Sequence, residues 1–358
     1  MSSSLSRIVT RSIEDVESKI ATIHGFQLEN GDHFPILNIA YETYGKLDES
    51  GSNAVLIMHG YAAHHHATGY YAPGKYCPGV GSSEPGWWSA LIGPGKAIDT
   101  DRLFVISSNT LGSSYGTTGP ASINSVTGKP YGPGFPDISI IDMINAQYML
   151  LGILKVRRLV TVVGFSYGGY QAFQWAVTYP NMMDGVVIAS ATPKGNCNPQ
   201  TVEDLVLRLS KDPNWNNGWY YDRGGIRNVL IDYRMEMLKL YGSEQQFMNE
   251  AAIRQVAESW AKQFDGNSLI TLRRAAEYRN AEKDFERIKA KMLYVSCRTD
   301  NLFPPSTTAK ILAKLNSFNL DIEYLELDSN KGHVAAIHDA AMWEPLLRTF
   351  ISKLQEIS

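Results

Sequence analysis

The stretch LVTVVGFSYGGYQAFQWAVTYP, residues 159–180, is the most informative part of the chain. It begins with an apolar run typical of a buried strand and continues with the amphipathic pattern of a helix. Between the two lies a G-x-S-x-G sequence that runs from Gly164 to Gly168. In this context the sequence predicts a strained turn that lifts Ser166 above the sheet edge and exposes its Oγ as a nucleophile. The flanking glycines avoid side-chain clashes in so tight a turn.

Further strands are predicted on both sides of this stretch. Short apolar or β-branched runs alternate with helical patterns, notably at 139–155 and 168–179, which indicates βαβ units. The predicted fold class is therefore α/β, with a doubly wound, mostly parallel sheet of eight strands and helices on both faces. The strands are expected near 22–28, 37–43, 54–58, 103–108, 159–164, 185–190, 291–297 and 321–327.

Three regions interrupt this alternation. Residues 61–95 and 109–137 are rich in glycine and proline and are predicted to be long loops, which are usually functional in a compact domain. Residues 198–287 lack strand signals and have helical periodicity. We therefore expect a helical lid inserted into one α/β core. The predicted boundaries are 1–197 and 288–358 for the core and 198–287 for the lid.

The turn at Ser166 predicts an acid and then a histidine later in the chain, each after a strand. Asp300 follows the predicted strand 291–297, and His333 follows 321–327. In these positions His333 would take the proton of Ser166, and Asp300 would fix the tautomer of His333 and stabilise the imidazolium. Other candidates are less well placed relative to the predicted strands: Asp99, Asp101, Asp328 and His338.

Nucleophilic attack on an acyl group also requires donors for the developing oxyanion. The first predicted donor is the backbone N–H of Tyr167, the residue after the nucleophile. The second is expected in the loop after strand 54–58, where the backbone N–H of Tyr61 is preferred and that of Ala62 is the alternative. These two tyrosines complete the predicted oxyanion hole.

No cofactor or metal ion is predicted. The run His64-His65-His66 invites a metal hypothesis, but consecutive loop residues cannot all face one ion, and a structural or pocket-lining role is favoured. The glycine-rich segments match neither a phosphate-binding loop nor a dinucleotide-binding fingerprint. The three cysteines, Cys77, Cys197 and Cys297, have no metal-ligand or disulfide-framework spacing.

Composition narrows the partners and the location. The chain has 358 residues and a formal net charge of −3, which argues against a nucleic-acid partner. No apolar run is long enough to span a membrane, so no membrane partner is expected. The N-terminal sequence lacks the apolar core of a secretory signal, and the cysteine usage suits a reducing cytoplasm. We therefore expect a cytoplasmic protein acting on a small molecule.

Several segments together resemble the homoserine O-acetyltransferase family of α/β-hydrolases. They are YETYGKL (41–47), WWSALIGPGKAIDTDRLFVISSNTLGSSYGTTGP (87–120), GKPYGPGFP (128–136), GFSYGGYQAFQWAVTYP (164–180) and DNLFPP (300–305). The resemblance implies an α/β-hydrolase fold, an acyl-enzyme on Ser166, a catalytic triad with Asp300 and His333, and a homodimer. The family includes acetyl-CoA-dependent transferases and enzymes that hydrolyse short-chain acetate esters.

Two departures from the family pattern bear on the reaction. The transferases usually carry Asp after the catalytic histidine, where this chain has Val334, and an Arg in the lid, where it has Leu230. Arg227 or Arg234 could restore the lid cation. A pocket lined by Val334, Leu230 and the aromatic start of the lid, NWNNGWYYD (214–222), suits a neutral ester better than a zwitterion, because unpaired charges are costly to bury.

The sequence therefore favours a carboxylesterase that hydrolyses short-chain acetyl esters. The alternative is an acetyl-CoA-dependent O-acetyltransferase acting on homoserine or another small alcohol. The expected partner is a small-molecule ester, or acetyl-CoA plus an alcohol. A non-catalytic binding module is disfavoured because all three triad residues are present.

Overall fold

The computed structural model describes residues 13–76, 84–242 and 249–356, and eight strands in this part of the chain form one sheet. The strands are β1 (Lys19–Gln27), β2 (His33–Tyr44), β3 (Ala54–Met58), β6 (Phe104–Ser108), β7 (Leu159–Phe165), β8 (Met183–Ala189), β9 (Lys291–Cys297) and β10 (Ile322–Leu327). Their spatial order is β1-β2-β6-β3-β7-β8-β9-β10. The pairs β1–β2 and β2–β6 are antiparallel. All the other neighbouring pairs in this order, from β6–β3 to β9–β10, are parallel.

All eight predicted strands are confirmed, with small differences at their ends. Every residue of β3 and β7 is buried, as expected of central strands covered on both faces. A further parallel pair, β4 (Ile92–Gly93) and β5 (Ile98–Asp99), lies within and just after the predicted loop 61–95. Two-residue strands are too short to give a periodic signal, so the sequence did not reveal this pair.

Helices connect and cover the strands. They are α1 (Ile140–Ile153), α2 (Tyr167–Thr178), α3 (Gln200–Leu209), α4 (Arg227–Leu240), α5 (Glu250–Ala261), α6 (Gly266–Tyr278), α7 (Pro305–Asn316), α8 (Ala335–His338) and α9 (Glu344–Gln355). The predicted helices 139–155 and 168–179 correspond to α1 and α2. Ser139 caps α1 through a capping box with Asp142, in which each side chain accepts the other's backbone N–H.

The helices α2 and α9 lie on opposite faces of the sheet. A Cβ added to Gly169 in α2 would approach the side chain of Ile188 on β8. One added to Gly185, on the same strand, would lie 2.3 Å from Leu354 of α9. Residues 185 and 188 are three apart, and side chains of a strand alternate between faces, so they point to opposite sides. Helices on both faces were predicted.

The helices α3 to α6 lie between β8 and β9 in sequence. Two short segments, 193–197 and 277–281, lead into and out of this part of the chain and are hydrogen-bonded to each other; we call them the neck. Lys194 and Asn280 form an antiparallel bridge, and the N–H of Gly195 donates to the carbonyl of Arg279 at 2.9 Å. The neck joins both ends of the inserted region beside the sheet.

Within the described ranges, none of the helices combines the length and the apolar character needed to cross a bilayer.

Candidate active site

Ser166 lies in a strained turn between β7 and α2. Its φ is +54° and its ψ is −115°, a left-handed conformation that non-glycine residues rarely adopt. The turn is closed by backbone contacts: an added Cβ on Gly164 would lie 2.1 Å from the carbonyl oxygen of Gly168, and one on Gly168 would lie 2.0 Å from that of Met58. Both glycines are therefore required, and the turn has the geometry that the sequence predicted.

The structure brings Ser166, His333 and Asp300 together. The Nε2 of His333 lies 2.8 Å from the Oγ of Ser166, and its Nδ1 lies 2.9 Å from the Oδ2 of Asp300. The three residues follow β7, β9 and β10, whose carboxyl ends meet at one edge of the sheet. A hydrogen bond from Thr299 Oγ1 to the carbonyl of Ser329 joins the last two loops.

Asp300 is held as a carboxylate. Its Oδ1 accepts the backbone N–H groups of Leu302 at 2.8 Å and Phe303 at 3.0 Å. Burial alone would raise the pKa of Asp300, but His333 and these N–H groups outweigh burial and lower it. Because Asp300 is ionised, it favours the His333 tautomer with the proton on Nδ1, which leaves Nε2 free to accept the Ser166 proton.

Aromatic rings surround the His333 imidazole. The ring centroids of Phe165, Tyr241 and Phe303 lie 5.2, 5.3 and 5.4 Å from that of His333. Only 2% of the His333 side chain is exposed. The low-dielectric surroundings strengthen the hydrogen bonds of the imidazole to Ser166 and Asp300.

The loop after β3 lies against the nucleophile. An added Cβ on Gly60 would approach the Phe165 ring at 3.4 Å and the Ser166 Cβ at 3.8 Å. Tyr61 follows directly, and Tyr167 is the first residue of α2, whose N–H has no intrahelical acceptor. Both backbones thus lie next to Ser166, where the sequence predicted the oxyanion donors.

His59 fixes the backbone of this loop. Its Nδ1 lies 2.8 Å from the carbonyl oxygen of Gly60, and its Nε2 accepts the N–H of Thr110 at 3.2 Å. Burial lowers the pKa of His59 to about 4, so the ring is neutral near pH 7. The Nε2 also lies 3.0 Å from Asn109 Oδ1, so contacts with three neighbouring residues hold the ring in place.

The side chains of Tyr61 and Tyr167 have a second role that sequence reasoning missed. The Tyr61 hydroxyl donates to the carbonyl of Leu269 at 2.6 Å, and the Tyr167 hydroxyl donates to that of Leu272 at 2.9 Å. Both acceptors lie on α6. Tyr61 and Tyr167, which lie beside the nucleophile, therefore hold α6 in place next to the site.

A cavity of about 950 Å³ opens at Ser166. Tyrosines line its inner part: Tyr61, Tyr167, Tyr170, Tyr233 and Tyr241. Most of the other lining residues belong to α3, α4, α6, α7 and the segment 192–196. The cavity therefore lies between the sheet edge and the helices inserted between β8 and β9.

The arginines of the cavity are not the two that the sequence left open as possible lid cations. Of the described residues, neither Arg227 nor Arg234 lines the cavity, and neither does Leu230. The guanidinium of Arg234 instead lies 5.2 Å from the Trp260 ring centroid. Arg273 and Arg279 line the cavity in their place. They belong to LRRAAEYRN (272–280), where the helical period alone does not reveal which arginine faces the site.

The predicted apolar lining also needs correction. Val334 is buried next to His333 but does not contribute to the described cavity wall, and no described lining residue comes from 214–222. Within that stretch, Trp215 and Asn217 line a separate cavity of about 240 Å³. Tyr220 donates to Asp265 at 2.6 Å. This aromatic stretch thus packs against the start of α6 and does not line the cavity at Ser166.

The weaker sequence candidates lie elsewhere. Asp328 forms an exposed ion pair with Arg298, and His338 is exposed on α8. Asp99 accepts the N–H groups of Gly95 and of Asp101 within its own turn. None of these contacts involves Ser166.

The histidine run packs into the core. His66 Nδ1 lies 3.0 Å from the buried carboxylate of Glu42, and His65 Nε2 lies 2.7 Å from Ser18 Oγ. In the described parts of the chain, no group of three or more His, Cys, Asp or Glu side chains is placed to hold a metal ion. Cys197 is exposed and Cys297 is buried, whereas Cys77 lies outside the described residues.

The sheet order and the serine turn define an α/β-hydrolase. A sequence profile described as "alpha/beta hydrolase fold" matches residues 53–340. Homoserine O-acetyltransferase from Moorella thermoacetica is 34% identical over 92% of this chain and 94% of that protein. Homoserine O-acetyltransferase from Deferribacter desulfuricans is also 34% identical, over 95% of this chain and 96% of that protein.

Solved structures with different activities share the fold. The esterase E22 superposes with a TM-score of 0.84 at 30% identity, over 94% of this chain and 100% of that one. Homoserine O-acetyltransferase from Bacillus anthracis also gives 0.84, at 26% identity over 95% of this chain and 98% of that one. The chain belongs to the homoserine O-acetyltransferase-like family of α/β-hydrolases, and it is an acyl-transfer enzyme.

Proposed function

We propose that this protein is a serine carboxylesterase that hydrolyses short-chain esters, acetyl esters among them. The observation that carries the proposal is the continuous line of hydrogen bonds from Ser166 through His333 to Asp300 beside a cavity. This arrangement can activate a hydroxyl for attack on an acyl carbon.

The first half-reaction forms an acyl-enzyme. His333 Nε2 accepts the Ser166 proton as Oγ attacks the ester carbonyl, and the backbone N–H groups of Tyr61 and Tyr167 stabilise the oxyanion. Asp300 stabilises the imidazolium. When the tetrahedral intermediate collapses, His333 donates its proton to the alcohol oxygen, and the alcohol leaves.

The second half-reaction releases the acid. His333 now removes a proton from water, whose oxygen attacks the acyl carbon of the Ser166 ester. Collapse of the second intermediate returns the proton to the Ser166 Oγ. The products are one alcohol and one carboxylic acid, and the enzyme is regenerated.

The proposal favours water over an alcohol as the acceptor because of the residue beside His333. Val334 is apolar and 8% exposed, so it offers no counter-ion to the amino group of a homoserine-like acceptor. The similarity to the esterase E22 over nearly the whole chain also supports hydrolysis.

Substitution of the nucleophile tests the proposal. We expect Ser166→Ala to lower kcat for 4-nitrophenyl acetate and ethyl acetate by at least about 10³-fold, since the covalent route is lost. Ser317→Ala, at an exposed serine after α7, is the control and should retain activity. Retention of hydrolysis by Ser166→Ala, with its thermal unfolding unchanged, would contradict the proposal.

The second candidate is acetyl transfer from acetyl-CoA to homoserine or another small alcohol. The names and the 34% identity of the curated relatives favour it. The assay is thiol release from acetyl-CoA with and without a panel of alcohols. We expect no acceleration by alcohols; release that depends on homoserine would establish the transferase instead.

We further infer that residues 198–287 act as a lid on a core formed by 1–197 and 288–358. The hydrogen bonds of Tyr61 and Tyr167 to α6 and the contribution of α3, α4 and α6 to the cavity support this division. The homodimer, the cytoplasmic location and the lack of nucleic-acid and membrane partners stay predictions from the sequence.

A further inference from the structure

The cavity beside Ser166 has an excess of positive charge. Among the described residues that line it, six are basic and three are acidic: Lys194, Arg208, Arg273, Arg279, Lys310 and Lys314 against Glu236, Glu277 and Glu282. A cavity of this composition attracts anions.

Two of the three acidic residues of the cavity form ion pairs, and the third acts electrostatically on an arginine other than Arg273. Glu236 pairs with Arg208 at 2.5 Å, and Glu282 pairs with Lys314 at 2.7 Å. The charge of Glu277 acts on Arg279, whose guanidinium also donates to Thr192 Oγ1 at 2.7 Å. These carboxylates therefore do not supply a counter-ion to Arg273.

Arg273 lines the cavity beside the tyrosines that adjoin the nucleophile. Among the described residues it forms no ion pair, and its partly buried guanidinium is surrounded by the phenols of Tyr61 and Tyr233. The Arg273 Cζ lies 5.3 Å from the Tyr61 ring centroid. The next residue, Arg274, points elsewhere and pairs with Asp137 at the surface.

The attachment of α6 sets the position of Arg273 relative to the nucleophile. Tyr167, directly after Ser166, donates to the carbonyl of Leu272, directly before Arg273. Tyr61 lies beside the nucleophile and holds the preceding turn of α6 through Leu269. The guanidinium thus occupies the same cavity as Ser166, on a helix fixed at two points.

We propose that Arg273 binds a carboxylate on the substrate, so that the preferred ester carries a negative charge. This inference rests on the proposed esterase function and gives its substrate class. A planar guanidinium pairs with a carboxylate through two parallel hydrogen bonds, and such a pair is strong where water is largely excluded. The earlier expectation of a neutral ester depended on a cavity lined by Leu230 and Val334, which the structure does not have.

The carboxylate can belong to the acyl part or to the alcohol part of the ester, and two pairs of substrates separate these sources. For the acyl side, mono-4-nitrophenyl glutarate is compared with neutral 4-nitrophenyl valerate. For the alcohol side, 4-acetoxybutanoate is compared with 4-acetoxybutanamide. In each pair the readout is the ratio of kcat/KM for the anionic ester to that for the neutral ester.

We expect one pair to show a ratio of about ten or more in the wild-type enzyme, the gain typical of a hydrogen bond to a charged group. Arg273→Gln should lower this ratio about ten- to hundred-fold, mainly through KM, and Arg273→Lys should restore part of it. Arg274→Gln, the control, should leave the ratio unchanged. Equal ratios for wild type and Arg273→Gln in both pairs would overturn the inference.

A binding measurement separates this inference from the esterase proposal. Glutarate, but not glutaramide, should raise the thermal unfolding temperature of the wild-type protein and of Arg274→Gln, and should not raise that of Arg273→Gln. This result needs no turnover. Ser166-dependent hydrolysis of neutral esters without any effect of Arg273→Gln would contradict the inference alone.

Discussion

At the scale of single residues, the hydrogen bonds of Asp300 are divided between its two oxygens. One oxygen accepts two backbone N–H groups, and the other faces the Nδ1 of His333. An isosteric amide would keep the backbone contacts only if it presents its oxygen to them. Its NH₂ group would then face Nδ1 and favour the other tautomer of His333.

We therefore expect Asp300→Asn to lower kcat for 4-nitrophenyl acetate by about 10³- to 10⁴-fold, because Nε2 would carry a proton and could not act as a base. The measurement is steady-state hydrolysis, together with thermal unfolding. Asp328→Asn, at the exposed sequence candidate, should retain at least half of the activity. A loss of less than ten-fold in Asp300→Asn would argue against the tautomer role.

The residues that follow strands could be predicted, whereas those on helices could not. The sequence predicted Ser166, Asp300 and His333 as one group because each follows an apolar run in the order that the turn requires, and the structure places them within hydrogen-bonding distance. Arg273 and Arg274 are adjacent and chemically identical in sequence, yet one faces the cavity and the other the surface. Which of them faces the cavity depends on how α6 packs, and the hydrogen bonds from Tyr61 and Tyr167 to α6 hold that packing.

At the scale of elements, the turn between β7 and α2 depends on close backbone contact. Gly168 lies so near Met58 that even a methyl group would overlap the carbonyl oxygen at the end of β3. The turn follows β7, and β7 is paired with β3 in the sheet. The clash therefore cannot be relieved without moving α2 or one of these two strands.

Gly168→Ala should therefore lower the unfolding temperature markedly and reduce ester hydrolysis, because the turn must distort. Gly152→Ala is the matched control. Gly152 lies in α1 with nothing within 4 Å of an added Cβ, and alanine there should be neutral or stabilising by about 0.5–1 kcal/mol. Equal unfolding temperatures and activities in the two variants would contradict this account.

The sequence predicted the type of most elements but not their contacts. Apolar runs located all eight strands of the main sheet, and helical periodicity located the region of α3 to α6. The stretch 214–222 was expected at the cavity because it is aromatic. Its Tyr220 instead binds Asp265, the N-cap of α6, and this long-range pairing has no local sequence signal.

At the scale of the whole molecule, buried neutral histidines couple stability to pH. Burial lowers the pKa of His59 to about 4 and that of His64 to about 3, against about 6.5 in an unfolded chain. Below pH 6.5 the unfolded chain binds protons that the folded protein does not. Stability is therefore full above pH 6.5 and is lost progressively as the pH falls towards 4.

For His59 alone the loss by pH 4.5 is about 2–3 kcal/mol. We expect the unfolding temperature of the wild-type protein to fall by several degrees between pH 7.5 and 4.5. His59→Gln, which cannot take up the proton, should have a shallower decline, whereas His24→Gln, at an exposed histidine of β1, should follow the wild type. Parallel declines in all three proteins would contradict the assignment.

The neck described above has a consequence for how this enzyme can change over evolution or by engineering. Because segments 193–197 and 277–281 are hydrogen-bonded side by side, the two ends of the inserted region are held together where the chain leaves the paired strands β8 and β9. Insertions, deletions or substitutions beyond the neck that spare the contact of Tyr241 with His333 need not move the loops that carry Asp300 and His333. The inserted helices can therefore be varied to change the substrate specificity while the acyl-transfer chemistry is kept.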